Sequence, residues 1–232
     1  MSDAYSPQAA QQAAAAALTP PMPSTSAPPS DAVAPSPVAR KRPLPGERRE
    51  QILRALATLL EQPGAERITT AVLAKHLQVS EAALYRHFAS KAQMFEGLIA
   101  FIEDSLFSLA NQIQSRETDP AQQIARLLAL VLQFAQKNPG MCRVMVGDAL
   151  ILEHERLSAR INQMWDRLES LLRQSHKAVA EARGSLTPTV DAQAGASLAV
   201  SVLLGRLQRF VRTDFQRLPT EHLDASVQQL LR

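Results

Sequence analysis

The sequence predicts an all-α protein, and three observations indicate this fold class. Leu and Ala dominate the apolar residues, only 4% of the 232 residues are aromatic, and from Leu44 onward apolar residues recur at helical spacing. Apolar residues make up 46% of the chain, which is sufficient for a sizeable core. Counting the separate periodic segments gives about nine helices and no convincing strand.

Capping and turn residues mark the ends of the predicted helices. Pro63-Gly64 ends the first helix, and Thr118-Asp119-Pro120 separates the fourth from the fifth. Asn138-Pro139-Gly140 ends the fifth helix, whose residues 127–135 are apolar except Gln133. The N-caps of the second, third and fourth helices are Thr69 or Thr70, Ser80 and Ser90. The last four predicted helices span about 141–151, 154–181, 190–214 and 220–231.

The first 43 residues differ in composition from the rest of the chain. They consist largely of Ala, Pro, Ser and Gln, and ten of the fifteen prolines lie in residues 1–45. Such a segment buries too little apolar surface to offset the entropy lost on ordering. We therefore expect a disordered tail over residues 1–43.

The formal net charge of +3 is distributed unevenly. Residues 1–39 hold two acids and no Lys or Arg, whereas residues 40–95 hold ten Lys and Arg against five acids. Residues 96–232 are balanced, with fifteen of each sign. A local basic block in an otherwise neutral chain is typical of a protein that binds a polyanion.

Several classes of protein are excluded or disfavoured. The single cysteine, Cys142, excludes an intramolecular disulfide framework and favours a reducing compartment. No run approaches the ~18 apolar residues of a membrane span, and the N-terminus lacks the pattern of a secretory signal. The motifs HExxH, CxxC, GxSxG and a glycine-rich phosphate loop are absent from the sequence. We expect a cytoplasmic binding protein with no catalytic residues, no metal, no cofactor and no membrane contact.

The segment from Arg67 to Lys91 has the pattern of a helix-turn-helix. Its sequence, RITTAVLAKHLQVSEAALYRHFASK, gives two short amphipathic helices joined by a turn at Leu77–Ser80. Leu84 and Phe88 form the core face of the second helix, so its other face is available to a DNA groove. The same residues could instead belong to an ordinary helical bundle, in which Tyr85 and His87 pack or cap.

Small, hydroxyl-bearing and cationic side chains supply the expected DNA contacts. Small residues let the recognition helix approach base edges, and hydroxyl groups and cations contact phosphates and bases. Lys91 adds an ammonium group to the positive N-terminus of the following helix. The predicted DNA-binding residues are Arg48, Thr69, Thr70, Ser80, Ala82, Ala83, Tyr85, Arg86, His87 and Lys91. Upstream, Arg40-Lys41-Arg42 is either an arm that reaches phosphate or the minor groove, or a solvated charged face.

Several motifs resemble the TetR family of transcription regulators and, within it, the nucleoid occlusion factors. The resemblance covers about residues 47–232. The motifs that carry it are RREQIL (48–53), RITTAVLA (67–74), VSEAALYRHF (79–88), SK (90–91), FIEDSL (101–106), NPG (138–140), RINQ (160–163) and RFVR (209–212). In the turn of the helix-turn-helix, Gln78 stands where glycine is usual in the family.

The resemblance implies a TetR-like homodimer with a three-helix DNA-binding domain over residues 44–93 and a helical dimerisation and partner-binding domain over residues 94–232. It implies binding to palindromic sites in double-stranded DNA, as a dimer or a dimer of dimers. Members bound to the nucleoid engage the C-terminal tail of the division protein FtsZ and disrupt its assembly. The positions that match the FtsZ groove are Phe101, Leu130, Gln133, Lys137 and Asn138. Two positions depart from the family groove: Gln133 replaces a small residue and Leu109 a basic one.

Small residues alternate with Val and Leu in the segment 198–207, which favours close packing of two long helices across a dimer interface, with a monomer core as the alternative. We expect interface residues at Leu198, Val202, Gly205 and Phe210.

Two other functions are weighed against nucleoid occlusion. The first is a repressor that releases DNA when a small ligand enters its C-terminal domain. The second is an enzyme on a helical bundle, for which the sequence offers no catalytic cluster.

Overall fold

The computed structural model describes residues 47–62 and 68–231. The predicted tail and the run Arg40-Lys41-Arg42 lie outside these residues. Within the described ranges the structure contains nine α-helices and no strand, which confirms the predicted all-α class. None of the described helices combines the length and the apolar character that crossing a membrane requires.

The helices follow the predicted order with small changes of boundary. Their bounds are α1 Glu47–Leu60, α2 Thr70–His76, α3 Glu81–Tyr85, α4 Lys91–Arg116, α5 Pro120–Lys137, α6 Pro139–Met145, α7 Glu155–Ala182, α8 Pro188–Arg212 and α9 Leu223–Leu230. The prediction of one helix over 141–151 is wrong. Gly147 has a φ of +80°, which ends α6, and a 3-10 helix follows at Asp148–Leu150. Likewise, His222 has a φ of +51°, so α9 begins only at Leu223.

Side-chain caps fix the starts of the short helices. The hydroxyl of Thr69 accepts a hydrogen bond from the N–H of Val72, and that of Ser80 accepts one from Ala83, both at 3.2 Å. Ser90 caps α4 in the same way through Gln93. Each cap satisfies one of the N–H groups that the first turn leaves unpaired, which matters most in helices of five and seven residues.

Helix α4 is the central element of the fold. Its first half is buried on two faces, and Met94, Leu98, Ile99 and Ile102 have no exposed surface. It packs against α1 on one side and against α5, α6 and α7 on the others. The helix-turn-helix and the C-terminal helices therefore share one continuous apolar core.

Helices α1 and α6 meet at a point where only glycine fits. A Cβ atom on Gly140 would lie 2.0 Å from the carbonyl oxygen of Ala57 and 3.1 Å from the Cβ of Leu60. Since no rotamer can relieve a clash with backbone, a larger residue here must move one helix away from the other.

A buried histidine lies between the long helices α7 and α8, which form the most extensive helix pair. His176 is 8% exposed, and its Nε2 atom is buried with no hydrogen-bond partner among the described residues. Burial, with a smaller contribution from the positive charge of Arg183, lowers the pKa of His176 below its usual 6.5. This histidine is therefore held neutral in the folded state around neutral pH.

The first prediction concerns the α1–α6 contact. In a helix that tolerates it, Gly→Ala stabilises by about 0.5–1 kcal/mol, whereas overpacking against backbone costs about 1–3 kcal/mol or more. We expect Gly140→Ala to lower the free energy of unfolding, measured by chemical denaturation. An increase in stability would show that α1 and α6 do not approach each other this closely.

The second prediction concerns pH. Because the pKa of His176 is lowered on folding, the histidine of the unfolded state binds a proton as the pH falls through 6.5, whereas that of the folded state stays neutral. Stability should therefore decrease below about pH 6.5. We expect His176→Gln to flatten that part of the pH–stability curve. A curve that keeps the wild-type slope in the variant would assign the effect to other groups.

Candidate nucleic-acid interface and partner groove

The turn between α2 and α3 has a geometry that normally requires glycine. The N–H of Val79 donates to the carbonyl of Ala74 at 3.0 Å, and that of Gln78 donates to Lys75 at 3.1 Å. These two bonds form a Schellman motif, which places Gln78 in the left-handed region with a φ of +54°. A non-glycine residue there costs about 1–2 kcal/mol. The motif fixes the angle between α2 and the recognition helix α3 in spite of that cost.

Apolar packing holds α3 against the rest of the head. Leu84 and Phe88 are each 1% exposed, as the sequence predicts for the core face. The guanidinium of Arg49 lies 4.1 Å from the centroid of the Phe88 ring and donates to the carbonyl oxygen of His87 at 2.8 Å. Arg49 thus fastens the end of the recognition segment to α1, a role for which the sequence carries no distinctive signal.

Hydroxyl groups connect α2 with α3 on the outer side. Tyr85 is 45% exposed, and its hydroxyl lies 3.4 Å from the Oγ1 atom of Thr70. Thr70 in turn donates to the carboxylate of Glu81 at 2.6 Å. This chain of hydrogen bonds positions the Tyr85 ring over the exposed side of the two helices, where a DNA backbone or base edge would contact it.

The other predicted DNA-binding residues occupy different environments. Arg48 donates to the side chain of Gln51 at 2.9 Å, so it lies along α1. The hydroxyls of Thr69 and Ser80 serve as helix caps. The exposed members of the set are Thr69, Ser80, Ala82, Arg86 and His87, and the half-buried members are Arg48, Thr70, Ala83 and Lys91. Sequence reasoning missed Lys75 and His76, which are exposed at the end of α2 and extend the polar surface; their polar types at the last turn were the available signal.

Lys91 is engaged within the protein. Its ammonium group forms an ion pair with the carboxylate of Glu153, and it lies 5.7 Å from the centroid of the Phe95 ring. Phe95 is one turn further into α4, so the lysine side chain lies beside the helix. The sequence predicts a phosphate contact for Lys91, and reaching a phosphate requires this ion pair to open.

A second surface lies between α4 and α5, next to the head. The three-residue connection 117–119 makes these helices an antiparallel hairpin, so Leu106 lies level with Leu130 and both border the same small core cavity. By the same register Phe101, which is 44% exposed, lies near the level of Ala135. An exposed aromatic ring is therefore presented near the end of α5.

The predicted groove residues on α5 lie along the same part of the hairpin. Gln133 and Lys137 are exposed, and Leu130 is half-buried against the core. Asn138 donates through its side chain to the carbonyl of Phe134 at 2.7 Å, so it closes the end of α5. Phe101 and these residues of α5 thus lie along the same end of the α4–α5 hairpin, the end nearer the head.

The surface predicted for dimerisation lies on α8. Leu198 is 53% exposed, Val202 is half-buried, and a Cβ atom on Gly205 would meet no atom within 4 Å. An open cleft of about 540 Å³ lies between α7 and α8 beside this face. The expectation for Phe210 needs correction. Its ring is 1% exposed within one protomer and packs edge-on against Phe215, so it faces the protomer's own core.

Groups that could support chemistry are buried or dispersed. Cys142 has no exposed surface, and burial raises the pKa of its thiol to about 12, so it stays protonated and unreactive near neutral pH. In the part of the chain that the structure describes, no cluster of three or more His, Cys, Asp or Glu could hold a metal ion.

Comparison with known proteins agrees with this geometry. Residues 52–98 match the family described as bacterial regulatory proteins of the tetR family, and residues 119–232 match the SlmA-like tetracyclin repressor-like C-terminal domain. Among solved structures, the fatty acid degradation regulator FadR from Bacillus halodurans superposes with a TM-score of 0.67 at 17% identity, covering 80% of this chain and 95% of that chain. AibR, solved with isovaleryl coenzyme A and operator DNA, superposes with a TM-score of 0.62 at 19% identity, covering 79% of this chain and 98% of that one.

The fold and the helix-turn-helix define a DNA-binding, dimeric regulator of the TetR type. Two curated relatives narrow the assignment. The nucleoid occlusion factor SlmA of Vibrio cholerae serotype O1 is 51% identical over 178 residues, covering 76% of this chain and 90% of that protein. The SlmA of Idiomarina loihiensis is 49% identical over 183 residues, covering 78% and 92%. The chain belongs to the SlmA family of nucleoid occlusion factors.

The third prediction tests the DNA-binding face. We expect Tyr85→Ala to weaken binding about tenfold, because it removes an exposed ring and hydroxyl from the centre of this face. The measurement is fluorescence anisotropy at moderate salt, with a palindromic duplex selected by the wild-type protein from a random pool.

Phe101→Ala is the matched control, since it removes an equally exposed aromatic ring from a surface outside the head. Its DNA affinity should equal that of the wild type. If Tyr85→Ala bound DNA as tightly as the wild type, the assignment of α3 to the DNA interface would be contradicted.

Proposed function

We propose that this protein prevents septation over the nucleoid. Its dimer binds palindromic chromosomal sites and, in that state, holds the C-terminal tail of FtsZ in the groove between α4 and α5. FtsZ assembly is thereby antagonised where unsegregated DNA is present. The observation that carries the proposal is the placement of an exposed Phe101 on the same helix, α4, that begins at the DNA-binding head.

The dimer supplies the geometry for palindromic DNA. A two-fold axis through the exposed face of α8 relates two heads, and two recognition helices in successive major grooves lie about 34 Å apart. The small residues of this face, such as Ser201 and Gly205, allow a second α8 to approach closely. Affinity for any duplex then depends on salt, and contacts from the exposed side of α3 provide selectivity.

The α4–α5 surface supplies a site for an extended peptide. Phe101 offers the aromatic anchor typical of a binding hot spot, and Leu130 adds half-buried apolar surface further along α5. The ammonium group of Lys137 and the amide of Gln133 are exposed beside this apolar strip, where they would pair with carboxylate and backbone groups of the tail.

DNA increases the effect through multivalency. A dimer carries two such grooves, and several dimers on one DNA segment present more of them at high local concentration. FtsZ polymers likewise present many tails. Avidity between two arrays of sites can exceed the affinity of a single groove by about 10²–10⁴-fold.

A ligand-responsive repressor receives less support. The apolar cavity between α4, α5 and α7 has a volume of about 10 Å³, room for roughly one water molecule. A pocket for a small-molecule effector is typically about 300–1,000 Å³. A ligand would have to open a well-packed core in order to act from this position, and the cleft of about 540 Å³ between α7 and α8 is open to solvent rather than an enclosed pocket.

The fourth prediction tests the proposed function by sedimentation of FtsZ polymers. Wild-type protein with its selected palindrome should reduce the pelleted FtsZ, and protein without DNA should do so much less. Phe101→Ala should keep DNA binding and lose this effect, because losing a central aromatic anchor costs about 2 kcal/mol or more, roughly a 30-fold drop in affinity.

Leu186→Ala is the control, since Leu186 is a 99% exposed apolar residue in the distant turn between α7 and α8. It should behave like the wild type. If the palindrome has no influence on FtsZ sedimentation, nucleoid occlusion by this mechanism is refuted and the repressor hypothesis gains support.

A further inference from the structure

We infer that Glu153 is an intramolecular competitor for the DNA phosphate that Lys91 contacts, and that DNA binding releases residues 151–153 from helix α4. In the DNA-free protein the carboxylate of Glu153 forms an ion pair with the ammonium group of Lys91. A phosphate of the duplex replaces it in the complex. The proposal depends on DNA binding by the head and is independent of any effect on FtsZ.

The ion pair is partly removed from water. The side chain of Lys91 is 28% exposed and that of Glu153 is 12% exposed. The ammonium group also lies against the Phe95 ring. Such a pair is screened less by salt than a surface pair, so a phosphate must displace a carboxylate that is already well placed.

A DNA phosphate and the carboxylate of Glu153 can each pair with Lys91. Lys91 is the first residue of α4, and its ammonium group adds to the partial positive charge at that helix end. A DNA phosphate and the Glu153 carboxylate are both anions with oxygen acceptors for the same cation. The ammonium group of Lys91 can pair with only one of the two anions at a time. In the pair with Glu153 the lysine side chain lies beside α4, and to reach a phosphate it must extend beyond the N-terminus of the helix.

Residues 151 and 152, which precede Glu153, bury little surface of their own. Ile151 and Leu152 are 74% and 70% exposed, whereas Leu150 just before them is buried. The N–H of Glu153 donates to the carbonyl of Leu150 at 3.0 Å, a contact local to this part of the chain. Among the polar contacts of residues 151–153, the pair with Lys91 is the one that reaches α4.

Helix α7 keeps its own attachments when that pair opens. Arg156 pairs with Glu96 at 2.7 Å, and Arg160 pairs with Glu103 at 2.5 Å, so two further ion pairs hold the start of α7 against α4. Exchange of Glu153 for phosphate then loosens residues 151–153 and leaves the packing of the long helices unchanged.

The test uses the full chain and a 30-bp mixed-sequence duplex labelled with fluorescein, because non-specific binding reports the phosphate contacts alone. Glu153→Gln should raise the affinity about three- to tenfold at fixed salt, since it leaves Lys91 available to phosphate. Lys91→Gln should lower the affinity and reduce the salt dependence by about one phosphate contact.

Glu155→Gln is the matched control. Glu155 is exposed, lies two residues further along the chain and loses the same charge when changed. Its gain in affinity measures the general effect of removing one negative charge near the head. In the Lys91→Gln background, Glu153→Gln should give no gain beyond that of Glu155→Gln.

Backbone hydrogen exchange supplies an independent readout. The amides of residues 151–153 should exchange faster in the wild type when the duplex is bound, and already exchange faster in Glu153→Gln without DNA. The proposal is overturned if Glu153→Gln equals Glu155→Gln in affinity, if its gain persists without Lys91, or if DNA protects these amides. Melting temperatures of the four variants establish that each is folded.

Discussion

The burial of the first half of α4 is the constraint on which the rest of the structure depends. Met94, Leu98, Ile99 and Ile102 have no exposed surface, and they contact both the head and the C-terminal helices. A helix packed on several sides cannot tilt without opening cavities, so it holds α1 and the recognition segment in a fixed relation to α7 and α8. The spacing of two heads in a dimer follows from this rigidity, and so does the position of Phe101 relative to bound DNA.

Local sequence signals predicted most of the fold because the elements begin and end at residues with strong backbone preferences. The caps at Thr69, Ser80 and Ser90 all appear as expected. Periodicity identified Leu84 and Phe88 as core residues because they are four residues apart, and the spacing holds although α3 itself ends at Tyr85. The helix over 141–151 was mispredicted because apolar residues continue past Gly147: Ala149 and Leu150 are buried, although the left-handed backbone of Gly147 has already ended α6.

The site was less predictable where its geometry depends on contacts distant in sequence. Lys91 and Glu153 are 62 residues apart, and no pattern in either segment indicates their ion pair. Phe210 follows Leu203 and Leu207 at helical spacing and is buried with them. The sequence does not show which apolar face of α8 packs within the protomer, so this residue was assigned to the wrong face. Arg48 and Arg49 are adjacent and chemically identical, and only the position of the Phe88 ring distinguishes the one that fastens the recognition segment.

The rigidity of α4 also bears on why DNA should activate the protein. A change transmitted along α4 would have to disturb side chains that are fully buried, whereas the groove residues Phe101 and Lys137 are already exposed in the DNA-free protein. The parts that DNA can move at low cost are the Lys91 side chain and the exposed residues 151 and 152 next to Glu153. In the proposed function, DNA would therefore act chiefly by gathering preformed grooves on one duplex. In that mechanism Glu153 would set how much of the head's positive charge is available, because a phosphate that pairs with Lys91 must first displace the Glu153 carboxylate.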